Sequence, residues 1–150
     1  MIKSDIIIPY WEGSSSEDLN KTLNSLKDEL SLINKLIIVF DGENSFFKIK
    51  IEDKAIENKL LLIYLRDNQG AGTARNIGAI FSDAENLLFL DSGDMNINNR
   101  IWTQNQALNN NSVSVGAIKE INSIGTSRIK FSSKNIGLAR KVLPYKNPFN

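Results

Sequence analysis

Cysteine and histidine are both absent from the 150 residues. Zinc sites of the Cys/His type, thiol nucleophiles, Ser-His-Asp triads and disulfides are excluded together. The chemistry that remains must come from carboxylates, Arg, Lys, Tyr and hydroxyls, with or without a hard metal ion. Net charge is just as scarce, with Lys plus Arg at 18 and Asp plus Glu at 17. No basic excess points to nucleic acid or to an acidic membrane. No stretch approaches the ~20 apolar residues of a membrane span, so any membrane association would be peripheral. The start, Met1 to Pro9, has too short an apolar segment for a signal peptide and carries Asp5 ahead of it. A cytoplasmic protein of one domain, long enough to bury a core, is expected.

What is present is a repeated pattern. Four short apolar runs each end on a turn or on charged residues: Ile6-Ile7-Ile8 at Pro9, Leu36 to Phe40 at Asp41-Gly42, Leu60 to Leu65 at Arg66-Asp67, and Leu87 to Leu90 at Asp91. Such runs read as strands, and the intervals between them suit crossover helices, hence a mainly parallel α/β sheet. Pro9 is expected to end the first strand, because proline cannot donate in a central ladder. Ser14 and Glu17 form a capping box, followed by an apolar stripe of Leu19, Leu23, Leu26 and Leu30 that marks core. Phe46 to Asn58 fits a strand by its alternation and a helix by Ile51, Ala55 and Ile56; a helix is expected. A third helix starts near Gly72 and presents Ala74, Ile77 and Phe81 to the sheet. Arg100 to Leu108 suits a short helix stopped by Asn109-Asn110-Asn111. Ser112 to Ile121 and Arg128 to Phe131 read as a strand pair joined by Asn122 to Thr126. Leu143 to Asn150, with two prolines and no periodicity, looks like a loop cut short.

The candidate functional residues lie where the runs end, because ligands of open α/β sheets sit at the carboxyl ends of the strands. Asp91-Ser92-Gly93-Asp94 puts two carboxylates there, which suits a hard divalent cation, although Asp, Ser and Gly are also ordinary turn residues. Arg75 stands at the start of a helix, where the macrodipole disfavours a cation, beside Gly70 and Gly72. Such violations of local preference tend to mark functional positions. The plain alternative is an ion pair with Asp41 or Asp67. Tyr10 and Trp11 could stack on a flat base with Glu12 accepting from it, or could simply cover the sheet edge. A dinucleotide fingerprint fails, since Arg75 stands where the third glycine belongs, and a P-loop fails for want of Gly-Lys-Ser/Thr.

Taken together, the strand ends resemble the nucleotide-sugar-binding half of an inverting family 2 glycosyltransferase of the GT-A fold, a Rossmann-like, mainly parallel sheet flanked by helices. The resemblance runs over nearly the whole chain. Ile6-Ile7-Ile8-Pro9-Tyr10 matches the opening strand, and Leu36 to Gly42 matches the second strand with its acidic end. Asn68-x-Gly70-x-Gly72-x-Ala74-Arg75-Asn76 resembles the family's Asn-x-Gly-x-x-x-Ala-Arg-Asn, and Phe89-Leu90-Asp91-Ser92-Gly93-Asp94 its Phe-Leu-Asp-Ser-Asp-Asp metal motif. The resemblance implies that Pro9, Tyr10 and Glu12 line the base pocket, Asp41 accepts from the base and Arg75 donates to it. It implies Ser92 near the ribose, and Asp91 and Asp94 on Mn²⁺ or Mg²⁺ against the diphosphate. Gly93 departs from the family's Asp, leaving either Asp91 or Asp94 as principal ligand. The implied partners are a UDP-linked sugar donor and a glycan or lipid-linked acceptor, in polysaccharide biosynthesis. The catalytic base is expected beyond residue 150, so residues 1–150 are read as a donor-binding domain truncated at its C-terminus. A module that binds nucleotide-sugar without turnover is the alternative. A nucleotidyltransferase would need a Gly-rich basic loop where Tyr10-Trp11-Glu12 stands.

Overall fold

The computed structural model describes residues 2–11, 13–42, 51, 53–97, 99–111, 113–122 and 124–130. The chain divides into two compact units, Met1–Gln106 and Ala107–Asn150. The first is built on four parallel strands, β1 (Ser4–Trp11), β2 (Ile33–Asp41), β3 (Leu60–Leu65) and β4 (Asn86–Phe89), in the order β3-β2-β1-β4. Between them lie α1 (Ser16–Asn24), a 3-10 stretch (Lys27–Leu32), α2 (Lys54–Glu57) and α3 (Ala71–Ile80); α4 (Arg100–Leu108) follows β4. The expected mainly parallel α/β sheet is therefore present.

Side chains alternate across a strand, so each run of branched apolar residues feeds two cores. Ile6, Ile8 and Tyr10 of β1 join Leu36, Ile38 and Phe40 of β2 against Leu19, Leu23 and Leu26, with Ile56, Leu88, Leu90 and Ile101 in the same cluster. Ile7, Ile37 and Val39 face the other way, onto Ala74 of α3. Two layers of helix thus enclose the sheet.

Several local expectations shift by identifiable causes. β1 does not stop at Pro9; it pairs with β2 as far as Trp11 opposite Asp41. Its pairing with β4 ends at Ile7 opposite Phe89, after which Leu90 N–H donates to Ile7 O at 3.1 Å. Pro9 has the parity of Ile7, so its missing N–H faces the side where no ladder remains to be satisfied. The helix cap is Ser15, which accepts from Asp18 N–H at 3.0 Å, one residue later than the box read from Ser14 and Glu17. The Ser14 backbone is engaged in the exit from β1, its N–H donating to Trp11 O and its carbonyl accepting from the Tyr10 hydroxyl. Leu19, Leu23 and Leu26 are buried as expected and Leu30 packs partly buried against them, but α1 ends at Asn24, and Leu26 and Leu30 follow it as cap residue and 3-10 turn. Ala74 and Ile77 pack on the sheet as expected, joined by Gly78, but Phe81 is 54% exposed and does not face it. The segment 46–58 lies partly outside the described residues, and within them only α2, capped by Asp53, is helical. Arg100 to Leu108 is helical as expected.

The second unit holds an antiparallel pair, β5 (Ile118–Ile121) and β6 (Ser127–Lys130), with Ile118 opposite Lys130. Its turn is closed by Asn122 N–H to Thr126 O at 3.0 Å, with Gly125 at φ 81°. The strand expected from Ser112 begins only at Ile118. Phe131 and Leu143 to Asn150 lie outside the described residues.

Candidate functional site

The strand order reverses around β1. It feeds α1 and β2 on one side and has β4 on the other, and such a switch point is where α/β sheets hold ligands. Because β4 parts from β1 after Ile7 while β2 stays paired through Trp11, the opening lies beyond the carboxyl end of β4. Asp91-Ser92-Gly93-Asp94 fills that position. Asp94 N–H donates to Asp91 O at 3.0 Å, and Gly93 has φ 97°. A hydrogen-bonded turn with positive φ at its third residue has type II character and favours glycine there. Gly93, where the family resemblance implies Asp, suits that conformation.

Arg75 reaches this turn. Its Nη2 lies 2.6 Å from Asp91 Oδ1, so its partner is neither Asp41 nor Asp67. The guanidinium lies on the acid turn itself, rather than facing it across a cleft. Arg75 is the fifth residue of α3, past the first turn to which the dipole's effect is confined. The two side chains are 32% and 52% exposed, and pairs this open contribute only ~0–1 kcal/mol to stability. Burial, and then the charge of Asp91, push the Asp94 carboxyl above the usual carboxylate range, with Arg100 partly opposing them.

Asp41, 2% exposed at the end of β2, accepts from Gln69 N–H at 2.7 Å and so anchors the loop that enters α3. Asn68 Oδ1 accepts from Gly70 N–H in the same loop. Gly70 itself sits at φ 87°, ψ 155°, a conformation essentially restricted to glycine, and α3 begins without a side-chain cap. Tyr10 is 1% exposed; its ring tilts against Phe40 at 5.3 Å, and Phe40 stacks on Tyr64 at 4.7 Å. Trp11, by contrast, is exposed. Pro9 is buried one residue before Tyr10. Ser92 Oγ is buried at the turn without a hydrogen-bond partner among the described residues. Glu12 lies outside the described residues.

The sequence reading passed over the residues that hold the turn in place. Thr22 Oγ1 of α1 accepts from Gly93 N–H at 2.9 Å and lies 2.8 Å from Asp94 O, to which it can donate. Ser25 Oγ accepts from Asn96 N–H at 2.8 Å. Glu29 accepts from Asn96 Nδ2 at 2.9 Å, from Ile101 N–H at 3.3 Å and from Trp102 N–H at 2.9 Å. A buried carboxylate thus caps the start of α4, where free N–H groups and the dipole favour an anion. Positions 22, 25 and 29 follow helical spacing beside the leucine stripe, and that spacing was the available signal.

Among the described residues no group of three or more His, Cys, Asp or Glu could hold a metal ion. Two acids on one turn nevertheless fit a hard cation, which commonly takes one or two carboxylates and completes its shell with water and phosphate oxygens. Burial first and the charge of Asp91 second raise the Asp94 carboxyl, and a bound cation would oppose both. In a carboxylate-resolved NMR titration without metal, Asp94 should titrate above the ordinary range. Asp53 and Asp83, hydrogen-bonded by Lys27 and Lys35, should titrate below it. Since the folded chain holds the Asp94 proton more tightly than the unfolded one, this group's contribution to stability falls as pH rises through its midpoint. Added Mg²⁺ should draw that midpoint down; a midpoint indifferent to Mg²⁺ would speak against a cation at the turn.

The family model described as glycosyl transferase family 2 matches residues 5–148. Among solved structures, the chain is similar to S. aureus TarS at 26% identity and TM-score 0.49, over 63% of this chain and 17% of that one. A structure of S. aureus TarS 1-349 matches at 24% identity and TM-score 0.50, over 72% and 32%. TarS 1-349 in complex with UDP matches at 24% identity and TM-score 0.48, over 71% and 31%. The chain spans less than a third of the length of these structures, and the TarS 1-349 match bears on the fold alone. No curated protein matches it.

Proposed function

Because the chain belongs to glycosyl transferase family 2, we propose that it binds a nucleotide-diphosphate sugar, UDP-linked, and serves the donor side of an inverting transfer to a glycan or lipid-linked acceptor. The observation that carries this reading is the meeting of Arg75 with Asp91, beside Asp94, at the sheet's switch point. An exposed bridge of this kind adds little to stability, so recognition is the better reason for its placement. Asp91 and Asp94 would hold Mn²⁺ or Mg²⁺. A cation there supplies Lewis-acid stabilisation of the negative charge that develops on a departing diphosphate.

The protein groups divide the remaining tasks. Arg75 would donate to a base carbonyl once Asp91 is drawn to the cation. Asp41 sets the loop from which the base edge is read, Pro9 and Tyr10 shape the pocket floor, and the unpartnered Ser92 hydroxyl would meet the ribose. Glu12 belongs to the same pocket on the family resemblance alone. Residues 1–150 are read as the donor-binding domain, with the base that deprotonates the acceptor supplied from beyond Asn150. A cytoplasmic location and a place in polysaccharide synthesis follow from the same reading. No helix among the described residues is long and apolar enough to cross a membrane. The second reading, a module that binds donor without turnover, draws on the short span of the matched structures that the chain covers.

Calorimetric titration with UDP, with and without Mn²⁺, tests the proposal. Mn²⁺ should tighten UDP binding at least tenfold, equivalent to about 1.4 kcal/mol, and Asp94→Ala should remove that gain. Arg75→Ala should weaken UDP by the ~1.5–3 kcal/mol of a hydrogen bond to a charged group. Equal affinity with and without metal would refute the cation's role, and no UDP binding at all would refute the site.

A further inference from the structure

We propose that Thr22 is a positioning residue for the acidic turn, fixing where the Asp94 carboxylate stands and thereby setting the affinity of the turn for a divalent cation. This rests on the donor-site reading above. The Gly93 N–H belongs to the central peptide of the Asp91–Asp94 turn. With glycine at the third place, that peptide can take either orientation without a Cβ penalty, giving a type I or a type II turn. The observed φ of 97° at Gly93 selects the second. The structural feature that distinguishes the two is the Thr22 hydroxyl, which accepts the Gly93 N–H at 2.9 Å and stands 2.8 Å from Asp94 O.

A helical threonine ordinarily donates to a carbonyl one turn back in its own helix. Thr22 has that option in Asp18 O at 3.1 Å, yet its shorter contact is to the turn. The side chain is fully buried and α1 is packed on the sheet through Leu19 and Leu23, so its hydroxyl is a fixed reference point. Asp94 follows Gly93 directly, and the same hydroxyl stands against the Asp94 carbonyl, so it ties the backbone that bears the carboxylate to α1. Ser25 and Glu29 hold the chain that follows the turn but touch neither Gly93 nor Asp94. Thr22 alone in that row bears on the carboxylate's position.

The test compares Thr22→Val, which keeps the shape and removes both hydrogen bonds, with Thr22→Ser, which keeps the hydroxyl. Free Mn²⁺ is followed by electron paramagnetic resonance in titrations of the 150-residue chain with UDP present, beside metal-free UDP affinity and amide exchange at Gly93. Thr22→Val should weaken Mn²⁺ at least tenfold, as loss of outer-shell partners of metal ligands commonly does, leave metal-free UDP affinity within about twofold and speed exchange at Gly93. Thr22→Ser should recover Mn²⁺ affinity to within about threefold. Thr22→Ala supplies the same comparison if valine fails to fold. A valine or alanine variant that melts earlier yet binds Mn²⁺ as the parent does overturns the inference and leaves the donor site standing. A parent chain that binds no Mn²⁺ with UDP overturns both.

Discussion

Gly78→Val is expected to destabilise the folded chain by about 3 kcal/mol, at the upper end of what overpacking a core costs. A Cβ at this position would stand 2.5 Å from Ile7 Cγ2 and 3.3 Å from Val39 Cγ2. Both partners are fully buried, β-branched side chains of the central strands, so neither can swing clear. Relief would have to come from moving α3 off the sheet. That helix carries Arg75, and its entry loop is tied to Asp41, so the shift would also disturb the acidic turn. Gly78→Ala meets the same clash but gains about 1 kcal/mol of helix propensity, and a net loss of about 1–2 kcal/mol is expected. Urea unfolding with both variants checks the order; an alanine variant as stable as the parent would mean that α3 does not sit this close.

Removing the carboxylate of Glu29 should cost about as much, for a different reason. Glu29→Ala leaves the N–H groups of Ile101 and Trp102 and the amide of Asn96 without their acceptor in a buried place. Each donor left unsatisfied costs about 1–3 kcal/mol, less whatever water recovers, and about 3 kcal/mol in all is expected. Glu29→Gln keeps one acceptor oxygen but turns an NH₂ toward donors, and should fall between the two. The damage should be local. Amide exchange at Ile101 and Trp102 should rise far more than exchange in β1 or β2, and fluorescence of Trp102, in the first turn of α4, should report the fraying. Uniform loss of protection through the sheet would show that the cap is not what Glu29 supplies.

Legibility in the sequence tracked the range of the forces involved. β3 and α4 were read with their ends correct, because a closed apolar run and an Asn triplet are local signals. Ser14 was taken for the cap because Ser14 and Ser15 have the same local chemistry. The backbone of Ser14 belongs to the turn out of β1, bonded to Trp11 and Tyr10, and the helix starts one residue later, with Ser15 as its cap. Periodicity assigns Phe81 to the sheet with Ala74 and Ile77, but α3 ends before it: Ala74 is buried and Ile77 packs against the same cluster, while Phe81 is left exposed. The acidic turn and Arg75 stood out as polar residues at strand ends, yet their pairing was not legible: Asp41 and Asp67 were the acids weighed for Arg75, and it took Asp91. Thr22, Ser25 and Glu29 drew no reading beside the leucine stripe, since a buried polar residue differs from an exposed one only in what packs over it.

What the amino-acid order determined alone is the alternation of strands and helices, the two-faced burial of β1 and β2, and the collection of acids where strands end. These follow from side-chain periodicity and from glycine and proline, which act within a few residues. Only the tertiary structure decided that Asp91 takes Arg75, that Asp41 holds Gln69, that Gly78 admits α3 to the sheet and that Thr22 grips the turn at Gly93. Each of those joins residues many positions apart. Hydrogen-bond donors and acceptors of one type are interchangeable until folding brings particular ones within three ångströms.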